Sequence, residues 1–221
     1  EEEEAEAEAA AAPVSVAAAM AAMDATYDER LKVIVASLQP NDRSAQAHFY
    51  NRISGILRGA WAAGALLRGT ARPPELALFG SSASGLDAEG ADLDMTLLLS
   101  VGQPEQARLV SSLAELFSQP VHRIVATAIT AARVPIVTLV DELSQAHADI
   151  SCGNQLALGN THLVRAYVDG SPAARQLCYA VKHWAKARQL ACSIDGTPSS
   201  YGWVVLALNS LQVPSQVPPL T

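Results

Sequence analysis

Apolar residues recur at helical spacing in the first third of the chain and at strand spacing in the middle. "DATYDERLKVIVASLQP" (24–40) has helical spacing, a cap candidate in Asp24 and a terminating Pro40, which predicts a helix. "NDRSAQAHFYNRISGILRGAWAAGALLRG" (41–69) reads as a long amphipathic helix capped by Asn41 or Asp42. The period then changes. "ELALF" (75–79) and "DLDMTLLLS" (92–100) read as strands, and "PEQARLVSSLAELFSQ" (104–119) as a helix with Pro104 at its start. "VHRIVATAI" (121–129), "VPIVTLV" (134–140) and "HADISC" (147–152) add three strands. The order predicts a mixed sheet with helices on one face. After Cys152 the strand signal ends. Residues 160–190 read as helical about a turn at Asp169-Gly170, and "SSYGWVVLALNSLQ" (199–212) as a further helix.

Composition adds boundaries. Residues 1–23 form an acidic Ala/Glu-rich tail, expected to be disordered or loosely helical, with order beginning near Asp24. Six glutamates lie in the first eight residues, so the formal charge of −7 belongs to the tail rather than the body. The helical stretch Leu158–Leu190 is locally basic. The expected organisation is therefore a tail (1–23), N-terminal helices (24–70), a mixed-sheet domain (71–152) and a helical domain (153–221) that is C-terminally incomplete. No apolar stretch approaches a membrane span. Cys152, Cys178 and Cys192 are odd in number and lack metal-ligand spacing, which points to a reduced, intracellular setting. The cytoplasm is favoured, with the mitochondrion as the alternative.

The chemistry concentrates in "FGSSASGLDAEGADLDMTL" (79–97). On an extended strand Asp92 and Asp94 project to the same side. Two carboxylates so placed repel unless a cation lies between them or one takes up a proton. Mg²⁺, which takes oxygen ligands and bridges carboxylates to phosphates, suits them, with Mn²⁺ as the alternative. The preceding "GSSASG" offers hydroxyls and flexible backbone with free N–H groups. A helix beginning after Gly80 would attract anions. Asp149, between Ala148 and Ile150 on a buried strand, is costly unless paired or metal-bound, and is the candidate third acid. Lys182 and Lys186 share a helix face and suit an anion between them. Tyr201, followed by Gly202, which permits close approach, offers an aromatic stacking face, with core packing as the alternative. Trp203 is read as core, Trp184 as helix packing, and His147, His162 and His183 as structural.

Together these blocks resemble the polymerase-β-like nucleotidyltransferases. Gly-Ser followed ten residues later by Asp-apolar-Asp looks like the signature of their RNA-tailing branch, the terminal uridylyltransferases and non-canonical poly(A) polymerases. "ADISCGNQLALGNTHLVRAY", "LCYAVKHWAKARQL" and "SSYGWVVLALNSLQ" follow in the family's order. The resemblance covers about residues 70–213. It implies an α+β fold: a nucleotidyltransferase mixed-sheet domain with helices, then a partial helical second domain. By that resemblance Gly80 and Ser81 hold the triphosphate, and Asp92, Asp94 and Asp149 are the metal-binding, catalytic carboxylates. Asn160 and Thr161 contact the nucleotide's sugar and base. Lys182, Lys186 and Ser200 bind phosphate, and Tyr201 stacks on the base. The activity so implied is Mg²⁺-dependent, template-independent addition of UMP from UTP to an RNA 3′ end. Use of ATP, or an inactive fragment that binds RNA or a partner, are the alternatives.

Overall fold

The computed structural model describes residues 16–67 and 72–212. The acidic stretch 1–15 and the proline-rich end 213–221 lie outside the described residues. The helix α1 (Val16–Leu38) starts eight residues before Asp24. The alanine-rich run before Asp24 contains no breaker, so helix propagates through it and Asp24 is an interior residue, not a cap. Helix α2 (Ser44–Ala62) is shorter at both ends than its apolar pattern suggests. Arg43 is its N-cap, while Asp42 one residue earlier accepts the Ser44 N–H at 2.7 Å.

Alternation along the strands sets the middle of the molecule. Strands β1 (Leu76–Phe79), β2 (Leu93–Leu97), β3 (Ile124–Ile129), β4 (Ile136–Asp141) and β5 (His147–Cys152) form one sheet in the order β1-β2-β5-β4-β3. The β2–β5 pairing is parallel and the other three are antiparallel, so the sheet is mixed, as expected. Leu93, Met95, Leu97, Val137, Leu139, Ala148, Ile150 and Cys152 point to one face and are buried. Phe49, Ile53 and Leu57 of α2, and Val110, Leu113 and Phe117 of α4 (Gln103–Phe117), cover that face at helical spacing. Strand alternation then requires Asp94 and Asp149 to point to the opposite face.

A second core joins α1 to the helices α5 (Gln155–Gly170), α6 (Pro172–Ala187) and α7 (Ser200–Gln212). Helix α5 begins five residues ahead of the apolar pattern because the Asn154 side chain caps it, accepting the Ala157 N–H at 3.3 Å. Ser171 caps α6 in the same way, accepting from Ala174 at 3.2 Å. Between β1 and β2 lie the short helix α3 (Gly80–Ser84) and a loop, and Leu86 of this loop inserts into the helical core.

That loop is held along its length. On one face of α6, the Arg175 guanidinium donates to the Gly85 carbonyl at 3.3 Å, Tyr179 Oη to the Asp87 carbonyl at 2.9 Å and Lys182 Nζ to the Leu86 carbonyl at 2.7 Å. The Asp87 carboxylate is buried and takes two bonds from Arg43, at 2.8 and 2.7 Å. Removing Arg43 would strand a buried charge. Arg43→Ala is therefore expected to destabilise the protein by at least about 1–3 kcal/mol, read from the urea midpoint. An unchanged midpoint would show that the pair contributes nothing.

Candidate active site

A cleft of about 550 Å³ opens between the two cores. Its lining brings together ten of the residues singled out from the sequence: Gly80, Ser81, Asp92, Asp94, Asn160, Thr161, Lys182, Lys186, Ser200 and Tyr201. Asp149 is absent from the lining but stands beside Asp94 in the parallel β2–β5 register.

Gly80 is the sharpest constraint. The chain leaves β1 and turns at Gly80 with φ +71°, a conformation that L side chains resist. A Cβ at Gly80 would also collide with the Asp94 carboxylate. The Gly80 N–H is not free, in contrast to the free N–H groups the sequence suggests for this turn: it donates to Thr161 Oγ1 at 2.9 Å. The turn is compact. What Ser81 presents to the cleft is its side chain.

Asp94 is pushed up to about 6, first by burial, then by the charges of Asp149 and Asp92, with Lys182 and the Ser81 N–H opposing. Asp149 is also raised, chiefly by burial and also by the Asp92 charge, while the neighbouring Thr138 and His147 lower it. Lys182 is pulled down to about 8 by burial and by Lys186, with Asp87 and Asp94 opposing. Carboxylates thus resist negative charge on one wall while Lys182 resists positive charge on the other. Cations between the acids and an anion against the lysines would relieve both at once. Asp92 lies one residue ahead of β2, not on the strand, yet still acts on Asp94. No group of three His, Cys, Asp or Glu among the described residues already forms a metal-holding cluster. The donor chemistry nevertheless fits a hard divalent cation, because carboxylate oxygens on one face are its preferred ligands.

The aromatic readings divide. Tyr201 is 41% exposed and lines the cleft, which rules out core packing. Trp203 is half-buried, donates to the Leu190 carbonyl at 2.6 Å and meets Trp184 edge-on at 5.4 Å. Trp184 is 45% exposed, so it packs against Trp203 at the surface rather than inside its helix. His183 lines the cleft and was not singled out for it. Sequence reasoning also missed Thr138, which sits opposite Asp149 in the β4–β5 register. A threonine in a β-rich run carries no signal until the register is known.

A mixed five-stranded sheet with its acids facing a cleft beneath a helical layer is the polymerase-β-like nucleotidyltransferase fold. A solved structure of Cid1, described there as having RNA terminal uridylyl transferase activity, superposes with a TM-score of 0.71 over 88% of this chain and 54% of Cid1, at 23% identity. The chain belongs to the family described as the central palm domain of mitochondrial-like poly(A) RNA polymerases, whose pattern matches residues 28–169. Among characterised relatives, the terminal uridylyltransferase cid1 of Schizosaccharomyces pombe is 30% identical over 139 residues, covering 61% of this chain and 34% of that protein. The poly(A) RNA polymerase GLD2 of Xenopus tropicalis is 34% identical over 141 residues, covering 62% of this chain and 27% of that protein. The chain thus spans about a third or less of these two relatives. No helix among the described residues is long and apolar enough to cross a membrane.

Gly80→Ala tests the packed turn. The left-handed backbone alone costs about 1–2 kcal/mol, and displacing the Asp94 carboxylate adds to it. The variant is expected to lose more than that in urea denaturation. A smaller loss would mean that the turn yields without disturbing Asp94.

Proposed function

We propose that this chain carries the catalytic centre of a template-independent RNA 3′-terminal nucleotidyltransferase that adds UMP from UTP. The observation that carries the proposal is the cleft that gathers Asp92 and Asp94 together with the lysines of α6. Opposed charge walls of this kind suit a nucleoside triphosphate with its metal ions. In this reading Asp92, Asp94 and Asp149 hold Mg²⁺, with Mn²⁺ as the alternative. The bound ions would neutralise the triphosphate and lower the pKa of the RNA 3′-hydroxyl.

The chain's own groups position the reactants. The Ser81 hydroxyl, Lys182, Lys186 and Ser200 hold phosphates, and Asn160 and Thr161 flank the sugar. Tyr201, exposed on the cleft wall, offers a face to the base. The 3′-oxygen bonds to the α-phosphorus, the bond from that phosphorus to the bridging oxygen breaks, and pyrophosphate leaves. The hydroxyl proton departs on the Asp149 side. Asp149 lies outside the cleft lining but beside Asp94, and in this reading the RNA end meets the sheet side and the nucleotide the helix side. UTP is preferred because the Asn160-Thr161, Lys182/Lys186 and Ser200-Tyr201 blocks look most like compact uridylyltransferases. ATP is the alternative.

The direct test incubates the protein with an RNA primer, Mg²⁺ and each of the four nucleoside triphosphates, with products sized on a gel. Stepwise extension with UTP supports the proposal, and extension with ATP alone supports the alternative. No extension with any nucleotide contradicts both.

Two sets of variants divide the roles. Asp94→Ala is expected to abolish extension with the fold retained, because it also relieves like-charge repulsion. Asp149→Asn is expected to abolish extension while UTP with Mg²⁺ still binds, measured by calorimetry. Equal loss of binding in both would refute this division. Tyr201→Phe should bind UTP nearly as well as wild type. Tyr201→Ala should bind roughly ten- to a hundred-fold more weakly, corresponding to about 1–3 kcal/mol of stacking, without a cavity-sized loss of melting temperature. Unchanged UTP affinity in Tyr201→Ala would remove the ring from the site.

A further inference from the structure

Two groups that line the cleft are not held in place by regular secondary structure. Asp92 lies one residue ahead of β2, and the Lys182 ammonium ends a long, flexible stem on α6. Both depend on the loop 85–91. The loop runs directly into Asp92, and its Leu86 carbonyl accepts from Lys182 Nζ at 2.7 Å. An ammonium has three donors, so two remain for an anion in the cleft. The loop is in turn fastened at Asp87. The Tyr179 hydroxyl, on a buried side chain, donates to the Asp87 carbonyl at 2.9 Å. The buried Asp87 carboxylate accepts from Arg43 Nε at 2.8 Å and Nη2 at 2.7 Å. Arg43 is the N-cap of α2, the helix whose Phe49, Ile53 and Leu57 are buried in the core of the sheet. Neither Arg43 nor Asp87 lines the cleft.

We infer that the Arg43–Asp87 pair is a positioning device for this site: it fixes the loop 85–91 to α2 and so sets where Asp92 and Lys182 stand toward a metal-bound triphosphate. The inference rests on the proposed nucleotide site. A two-pronged guanidinium–carboxylate contact fixes orientation as well as distance. With the carboxylate buried, releasing the guanidinium would leave a charge without a partner, so the contact stays closed. Tyr179 and Lys182 tie the loop to α6 in the helical core. Arg43 ties it to the sheet core, so the pair sets the lysines of α6 in register with the acids of the sheet. The Asn41 N–H, donating to Glu89 at 3.0 Å, adds a tie from the same segment, but at an exposed position where water competes.

The test uses Arg43→Met, Asp87→Leu and the two together. Arg43→Met alone strands a buried carboxylate and is the variant at risk of not folding. The double variant replaces both partners by apolar groups, which costs little. It also keeps the net charge, so direct electrostatic effects on a bound anion cancel. It decides the question whether or not the single variants fold. The first measurement needs no nucleotide. It is hydrogen exchange at the Ala91 amide, which donates to the Ala88 carbonyl at 3.1 Å just ahead of Asp92. Exchange should be faster there in the double variant, with exchange in β4 as in wild type. Unchanged exchange at Ala91 overturns the inference, and so does exchange that rises equally in β4. The second measurement is binding of UTP and inorganic tripolyphosphate with Mg²⁺, and of uridine. Lost positioning weakens UTP and tripolyphosphate by the same factor, about tenfold, and leaves uridine, which has no phosphate, unchanged. Asp87→Leu should show the same factor as the double variant, because the tie is already broken. Undiminished UTP and tripolyphosphate binding in the double variant overturns the inference, as does equal weakening of uridine. A wild-type protein that binds neither phosphate ligand would count against the proposed function, while Ala91 exchange would still decide whether the pair holds the loop.

Discussion

Everything in this site depends on the close contact between Gly80 and Asp94. The turn after β1 must fold back so tightly that no side chain fits at its first residue. That tightness brings the Gly80 N–H onto Thr161. A looser turn would separate the acids of the sheet from the hydroxyls of α3. It would also release α5, which packs against α3 and carries Asn160 and Thr161. The cost of burying a carboxylate here beside two other acids appears in the raised pKa of Asp94. Functional sites concentrate such costs, and the surrounding packing must hold them in place.

The two cores divide the labour. The sheet, backed by α2 and α4, presents acids from alternate strand positions. The helical core presents lysines from one face of α6. The loop 85–91 stitches them together. Its carbonyls accept from Arg175, Tyr179 and Lys182, and its Asp87 is gripped by Arg43 just ahead of α2. Lys182 belongs to both tasks, since its ammonium bonds the Leu86 carbonyl while lining the cleft. An anion at that wall would meet a cation that is already held in place.

The sequence made much of this legible. Strand period put Asp92 and Asp94 on one side, although Asp92 lies one residue ahead of β2; Asp149 stood out between apolar strand neighbours, and the four-residue spacing put Lys182 and Lys186 on one side of a helix. Gly-Ser ahead of the acids marked the turn. What could not be read was whatever depends on register or on long-range pairing. Finding Thr138 beside Asp149 requires knowing which β4 residue lies opposite it. The Arg43–Asp87 pair spans 44 residues, and neither residue sits in a periodic pattern that would single it out. The Gly80 N–H, expected to be free, is taken for the same reason, because its acceptor comes from α5. Helix ends moved where caps, not apolar spacing, decided them, as at Asn154.

The central claim is that the cleft between the two cores is a metal–nucleotide site. A structure of the protein with Mg²⁺ and a non-hydrolysable UTP analogue tests it most directly. The account predicts phosphates between Ser81, Lys182 and Lys186, the metal ions on Asp92, Asp94 and Asp149, and the base against Tyr201. Nucleotide bound outside this cleft, or bound in it with the three carboxylates turned away from the metal, would contradict the account.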